Sequence, residues 1–143
     1  AVAVLLHDLG MSFLPSSVLD EHGQPDPAQR SLWERHSEHC AGMLASSPRW
    51  QDAAAMIWQH HEAVDGTGLP DQLAGDEIAD GAKILAIADM FDARTNELGA
   101  QADGKRAMVK AVVEINHQIG KAFDEFWVGI FNQVIKQHQQ RFQ

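Results

Sequence analysis

The sequence predicts an all-α protein, a compact helical bundle without repeats. Three observations carry that prediction. Leu32, His36, His39 and Met43 recur at helical spacing, as do apolar residues in later segments. No stretch keeps the alternation of a half-buried strand. Short runs rich in Gly, Pro and Ser separate the apolar segments. The 143 residues suit a single domain over 1–143 with one core.

The elements follow in order. Residues 1–8, opening "AVAVLL", read as the last turns of a buried apolar helix. The run lacks a basic start and a cleavage site, so it is no signal peptide. The chain is therefore expected to be a fragment, with upstream helices and a regulatory domain outside it. "GMSFLPSSVLDEHGQPDP" is a loop, with one short helix at 16–20 and three prolines and two glycines to break it. Asp26 is placed to cap a helix that has Pro27 at its first position and runs to about Ala45. "SSP" stops that helix, and 49–61 form another, with Ala53, Ile57 and His60 or His61 on related faces. After the loop "EAVDGTGLPDQLAGDE", residues 77–98 form a long helix. Ala82, Leu85, Ala86 and Asp89 share one face of it, and Ile84, Ile87 and Phe91 another. Asp103 is placed to cap a helix over 104–119, and Asp124 one over 125–142.

Composition narrows the function. Hydrophobic residues make up 45% and charged residues 22%, as in ordinary soluble domains. The apolar runs are too short to span a bilayer. The formal net charge is −9 and there is no basic block, which argues against DNA or RNA as a partner. An acidic chain can still take an anionic substrate if cations supply the positive charge. The single cysteine, Cys40, excludes an internal disulfide and a thiolate metal cluster, and fits a cytoplasmic location. Eight histidines stand out; His22, His117 and His138 sit in polar surroundings and read as surface residues.

Four features suggest chemistry. His7-Asp8 ends an apolar helix, where a buried carboxylate needs a partner. His36 lies on a partly apolar face, with His39 competing one turn on. His60 and His61 are adjacent. On a helix they would point about 100° apart, so they do not easily chelate one ion unless the helix ends there, but they can serve two nearby ions or two edges of one site. Asp89 interrupts an apolar face, with Asp92 three residues on. Imidazole and carboxylate suit Fe, Mn or Zn. Two ions about 3.5–4 Å apart can share a bridging ligand and polarise a phosphoryl group, and Asp is a natural bridge.

These residues resemble the HD superfamily of metal-dependent phosphohydrolases. "HHEAVDGTGLP" is similar to HHExxDGxGYP, the signature of its HD-GYP branch, with GLP in place of GYP. "LLHDLGM" resembles LLHDIGK, "AKILAIADMFDA" resembles ARILAIADVFDA, and "GKAFDEFWVGIF" resembles a late family segment, so the likeness covers nearly the whole chain. The resemblance implies an α-helical HD-domain bundle with two or three divalent metal ions, iron or manganese foremost. It places His7, Asp8, His36, His60, His61 and Asp89 at metal-ligand positions, with Asp8 as the bridge. Asp65, Gly66 and Gly68 fall on a substrate loop beside the site, and Lys83 on a basic position that would aid phosphate neutralisation. Asp8 and Lys83 are accordingly the expected catalytic residues.

The implied activity is hydrolysis of cyclic di-GMP in bacterial signalling. The implied partners are an attached receiver or sensor domain, a GGDEF-type protein and a second copy in a homodimer. The chain departs from the family at Met11 for Lys and Leu69 for Tyr, and after "DMFDA" the usual Arg position is Leu98. Arg94, Lys105 and Arg106 are the candidate substitutes, in a register that is not the family's. Losing one such phosphate contact can cost on the order of 10²–10³ in rate. The alternatives are therefore a degenerate domain that binds metal, nucleotide or a partner protein without turnover, or a phosphohydrolase for another nucleotide.

Overall fold

The computed structural model describes residues 2–18, 29, 32–33, 35–99 and 104–141. Among these residues six α-helices are bounded, in the order α1 (Val2–Leu6), α2 (His36–Ala45), α3 (Gln51–Trp58), α4 (Asp80–Gly99), α5 (Gly104–His117) and α6 (Glu125–Arg141). Short 3-10 turns at His7–Phe13, Ser16–Val18, Pro48–Trp50 and Gly75–Glu77 join them. Among the described residues there is no strand, only isolated bridges at Asp65–Ala74 and Ile119–Phe123. No described helix is long and apolar enough to cross a membrane.

Helix α4 is the spine, because it supplies both halves of the core. Its Leu85 packs with Ala3, Cys40, Ala41, Ala54 and Ile57 from α1, α2 and α3. Its Ile87 packs with Ile115, Phe123 and Val128 on the α5–α6 side. The α5 face is small and regular: Ala107, Ala111 and Ile115 repeat every four residues and are all but fully buried. Alanine brings helix axes close, so a slender bundle still buries its few large side chains. At the start of α6 the Asp124 carboxylate accepts the Trp127 N–H at 3.2 Å, the N-cap that the sequence anticipates.

Several boundaries differ from the sequence reading. The helix expected over 49–61 opens as a 3-10 turn and ends at Trp58, so His60 and His61 leave it in a turn. The helix expected from 77 begins at Asp80, because Gly75 at φ 50° and the following 3-10 turn take up the approach. The expected caps Asp26 and Asp103 lie outside the described residues. The opening apolar run is only partly buried: Ala3 enters the core, whereas Leu5 is 81% exposed and Val4 edges a cavity.

Ile115 is fully buried at the centre of the α5–α6 half. Ile115→Ala is expected to cost about 2–5 kcal/mol in urea unfolding. Asp124→Ala removes both the cap bond and one of the two carboxylates beside the buried Lys83 ammonium, so it should cost more than the ~1 kcal/mol of a cap alone in the same measurement.

Candidate metal centre

Chain reversals bring four segments to one spot. At the exit of α1 the 3-10 turn carries His7 and Asp8 and then presses Gly10 onto α2. A Cβ at Gly10 would lie 1.9 Å from the His36 carbonyl oxygen, so no side chain fits there. That contact sets the His7–Asp8 turn directly against His36. His60 and His61 arrive from the end of α3, and Asp89 from the middle of α4.

Three of the histidines are oriented by one device. His7 Nδ1 lies 3.0 Å from the Val4 carbonyl, His36 Nδ1 2.8 Å from that of Trp33, and His60 Nδ1 2.6 Å from that of Ile57. A carbonyl can only accept, so each Nδ1 carries the proton and donates it. Each bond spans three residues along the chain, and each leaves Nε2 pointing away from its own helix.

Those Nε2 atoms converge. One donor atom from each of His36, His60 and His61 lies within 4.8 Å of the other two, and the same holds for His7, Asp8 and Asp89. Asp8 joins the two groups: Oδ2 is 3.2 Å from His7 Nε2, and Oδ1 is 3.5 Å from His36 Nε2. Asp89 Oδ1 is 3.3 Å from His7 Nε2. His61 Nε2 is 3.4 Å from His36 Nε2. The indole of Trp33 walls the imidazoles, with ring centroids 5.1 Å from both His36 and His61.

The electrostatics divide the centre. Asp8 first, then Asp89, raises the His7 pKa to about 10, and His7 in turn lowers that of Asp8. Burial lowers the pKa of His60 to about 4. Burial, followed by the neighbouring His60, lowers that of His61 to about 2. These two rings are neutral, with lone pairs free to coordinate. The buried Nε2 of His60 has no hydrogen-bond partner. Buried polar atoms are rarely left unpaired, and a cation is a fitting partner for a lone pair. The donors are imidazole nitrogens and carboxylate oxygens without sulfur, which suits Fe, Mn or Zn. The residues present therefore fit divalent metal ions.

A cavity of about 560 Å³ opens from the His7, Asp8 and Asp89 side, between α1, α4 and α6. Its walls are mainly apolar, with Phe91, Trp127 and Phe131 among them, and no Lys or Arg lines it among the described residues.

The loop predicted beside the site lies against His61. The Leu69 N–H donates to the His61 carbonyl at 3.1 Å, and Leu69 is 38% exposed. Gly66 has φ 79°, a left-handed conformation that glycine adopts without strain. Gly68 passes so close to Glu62 that a Cβ would lie 2.4 Å from its Cα. Asp65 shapes the turn rather than facing the histidines, accepting the Thr67 N–H at 3.0 Å and hydroxyl at 2.6 Å. These bonds lower its pKa.

Other sequence candidates sit apart. Lys83 is buried with its ammonium 3.7 Å from Asp124 and 3.9 Å from Asp80, and it does not line the cavity. Its expected part in phosphate neutralisation gives way to ion pairing that ties α4 to the start of α6. His39 is exposed and packs near Phe13. Asp92 edges the cavity but accepts from Asn96 and joins neither ligand group. Arg94 pairs with Glu97 at 2.7 Å and Glu114 at 2.9 Å. Sequence reasoning missed Trp33 and the carboxylate of Glu62. An aromatic three residues before His36 was the available signal for the first. For the second it was the Glu that directly follows the histidine pair.

Comparison with known proteins identifies the family. The family described as "HD domain" matches residues 1–125. The chain is 35% identical over 123 residues to 3'3'-cGAMP-specific phosphodiesterase 2 of Vibrio cholerae, covering 83% of this chain and 23% of that protein. It is 38% identical over 94 residues to a cyclic di-GMP phosphodiesterase response regulator of Xanthomonas campestris, covering 64% and 25%. It is 29% identical over 137 residues to a cyclic di-GMP phosphodiesterase of Thermotoga maritima, covering 94% and 37%. The chain thus spans between about a quarter and somewhat over a third of the length of these relatives. With the profile covering most of its residues and the His-Asp pair at the heart of its centre, the chain belongs to the HD domain family.

Proposed function

We propose that this chain is the hydrolytic domain of a metal-dependent phosphodiesterase for cyclic dinucleotides, of the HD-GYP type. One observation carries the reading: six imidazole and carboxylate donors form two adjacent groups that share Asp8 as a neighbour. The names of the relatives support the substrate class, some being named for cyclic di-GMP and others for 3'3'-cGAMP.

In this reading His7, Asp8 and Asp89 hold one divalent ion, and His36, His60 and His61 hold a second. Asp8 reaches both, because its two oxygens face His7 and His36 separately. When bound, such ions neutralise phosphate oxygens and make water nucleophilic near neutral pH. The chain's own part is orientation. The carbonyls of Val4, Trp33 and Ile57 fix three rings, and Trp33 shields two imidazoles from water. The loop carrying Asp65, Gly66, Gly68 and Leu69 frames the substrate side. Lys83 takes no part. By analogy with the Xanthomonas relative, named a response regulator, the domain works under an attached regulatory module.

A second reading has one observation behind it. The cavity beside the centre has no cationic side chain among the described residues, and Met11 and Leu69 replace the family's Lys and Tyr. Binding without turnover follows if the ions alone do not hold the phosphate well enough.

The decisive experiment is chromatography of products from Mn²⁺- and Fe²⁺-loaded protein incubated with cyclic di-GMP and with 3'3'-cGAMP. Appearance of a linear dinucleotide or mononucleotide supports the enzyme. Tight binding with no product supports the second reading. Asp8→Ala should lower metal content in both groups and slow hydrolysis by at least about 10²-fold, in line with the weight of ligand-shell residues in metal sites. His36→Ala should lower metal content while leaving the Ile115 core intact, checked by elemental analysis and circular dichroism.

A further inference from the structure

Glu62 directly follows the histidine pair, yet its carboxylate turns away from the ligand groups. It is only 5% exposed. Oε1 accepts the Asp71 N–H at 2.6 Å, and Oε2 accepts the Leu73 N–H at 3.0 Å. Both bonds are charge-assisted and desolvated, which makes them strong and makes their loss costly. The segment they hold crosses over the backbone of the histidine pair. Gly68 touches Glu62 and Ala63, and the Leu69 N–H bonds the His61 carbonyl at 3.1 Å. Trp58 adds a tie from the end of α3, its indole N–H donating to Asp71 at 2.6 Å.

The consequence falls on His61. Its ring is not held by the Nδ1–carbonyl device that fixes His7, His36 and His60; its Nε2 meets another imidazole, that of His36. His61 also lies beyond the last residue of α3, so no helical hydrogen bond of that element sets its backbone. The crossing segment holds its carbonyl through the Leu69 N–H, beside the bond from the Glu62 N–H to the Gln59 carbonyl at 2.9 Å, and Glu62 together with the Trp58–Asp71 tie holds that segment down.

We propose that Glu62 is a positioning residue for the metal centre: by clamping the amides of Asp71 and Leu73 it presses segment 68–73 onto the His61 backbone and so aims His61 at His36. The inference rests on the reading of His60 and His61 as metal ligands. It makes the loop and the centre one unit, so that whatever loosens the loop also weakens metal binding.

The test is calorimetric titration of the full chain with Mn²⁺, alongside hydrogen exchange. Glu62→Gln puts an amide donor where a backbone N–H needs an acceptor. It should raise the Mn²⁺ dissociation constant roughly tenfold, the lower end of what supporting residues around metal ligands usually carry. It should also speed exchange at Asp71 and Leu73. Gly68→Ala leaves every charge in place but forces the crossing segment off Glu62, so it should weaken Mn²⁺ binding in the same direction. It carries the test alone if Glu62→Gln does not fold. Val128→Ala, in the core on the α5–α6 side, is the control for general loss of stability and should leave Mn²⁺ affinity within about twofold. Wild-type affinity in both Glu62→Gln and Gly68→Ala, or an equal loss in Val128→Ala, overturns the inference. A wild-type chain that binds no Mn²⁺ overturns both this inference and the metal reading beneath it.

Discussion

The Nδ1–H of His7, His36 and His60 each donates to the carbonyl three residues earlier, and the rest of the centre depends on that repeated bond. A histidine free to rotate presents either nitrogen, with a proton on either one. Here the carbonyl dictates the tautomer, and the backbone near a helix end dictates the direction. The three elements concerned need then only be packed in the right order to bring the three rings to one centre. Packing supplies this through small residues. Gly10 lets the His7–Asp8 turn rest on His36, and the alanines of α4 and α5 draw those helices together. Precision at the centre is thus a property of the core rather than of a flexible surface.

Burial then acts on the two parts of the centre in opposite senses. Among His36, His60 and His61 it removes water and lowers the pKa of His60 and His61, whose rings lie against each other and against His36. Near Asp8 and Asp89 two carboxylates outweigh burial and raise the pKa of His7. One part is a buried cluster of nitrogen donors, and the other a carboxylate edge beside a cavity. Asp8 touches both, which is why a single side chain can couple them.

Much of this was legible in the sequence. The helical class follows from spacing, and His7, Asp8, His36, His60, His61 and Asp89 are the residues that come together, because ionisable groups on apolar faces need partners. The clearest gain from structure concerns the histidine pair. Spacing left open whether the two rings could share an ion, and the end of α3 at Trp58 answers it by releasing both into a turn. Lys83 shows the limit. On a motif it reads as a phosphate contact. In space it is turned toward Asp80 and Asp124, because the angular position of residue 83 on α4 differs from that of Asp89, and sequence alone does not say which face meets which helix. Glu62 was hidden for a related reason: its partners are backbone amides, which no side-chain pattern reveals.

The missing basic residues can be weighed by counting charge. The two ligand groups contain two carboxylates, Asp8 and Asp89, and otherwise neutral imidazoles once His7 gives up its proton to coordinate. Two divalent ions would then leave two positive charges on the proposed centre. A cyclic dinucleotide carries one negative charge on each of two phosphodiesters. The ions can therefore balance the substrate without help from Lys or Arg, at short range and in a partly dry site where such attraction is strong. On the proposed HD-GYP reading, what Met11 and Leu69 would remove is direction: hydrogen-bond donors that hold a phosphate in one pose. On the proposed reading charge balance favours binding and orientation decides turnover, so the holding of the loop by Glu62 and Gly68 bears on whether a cyclic dinucleotide bound there would be cut.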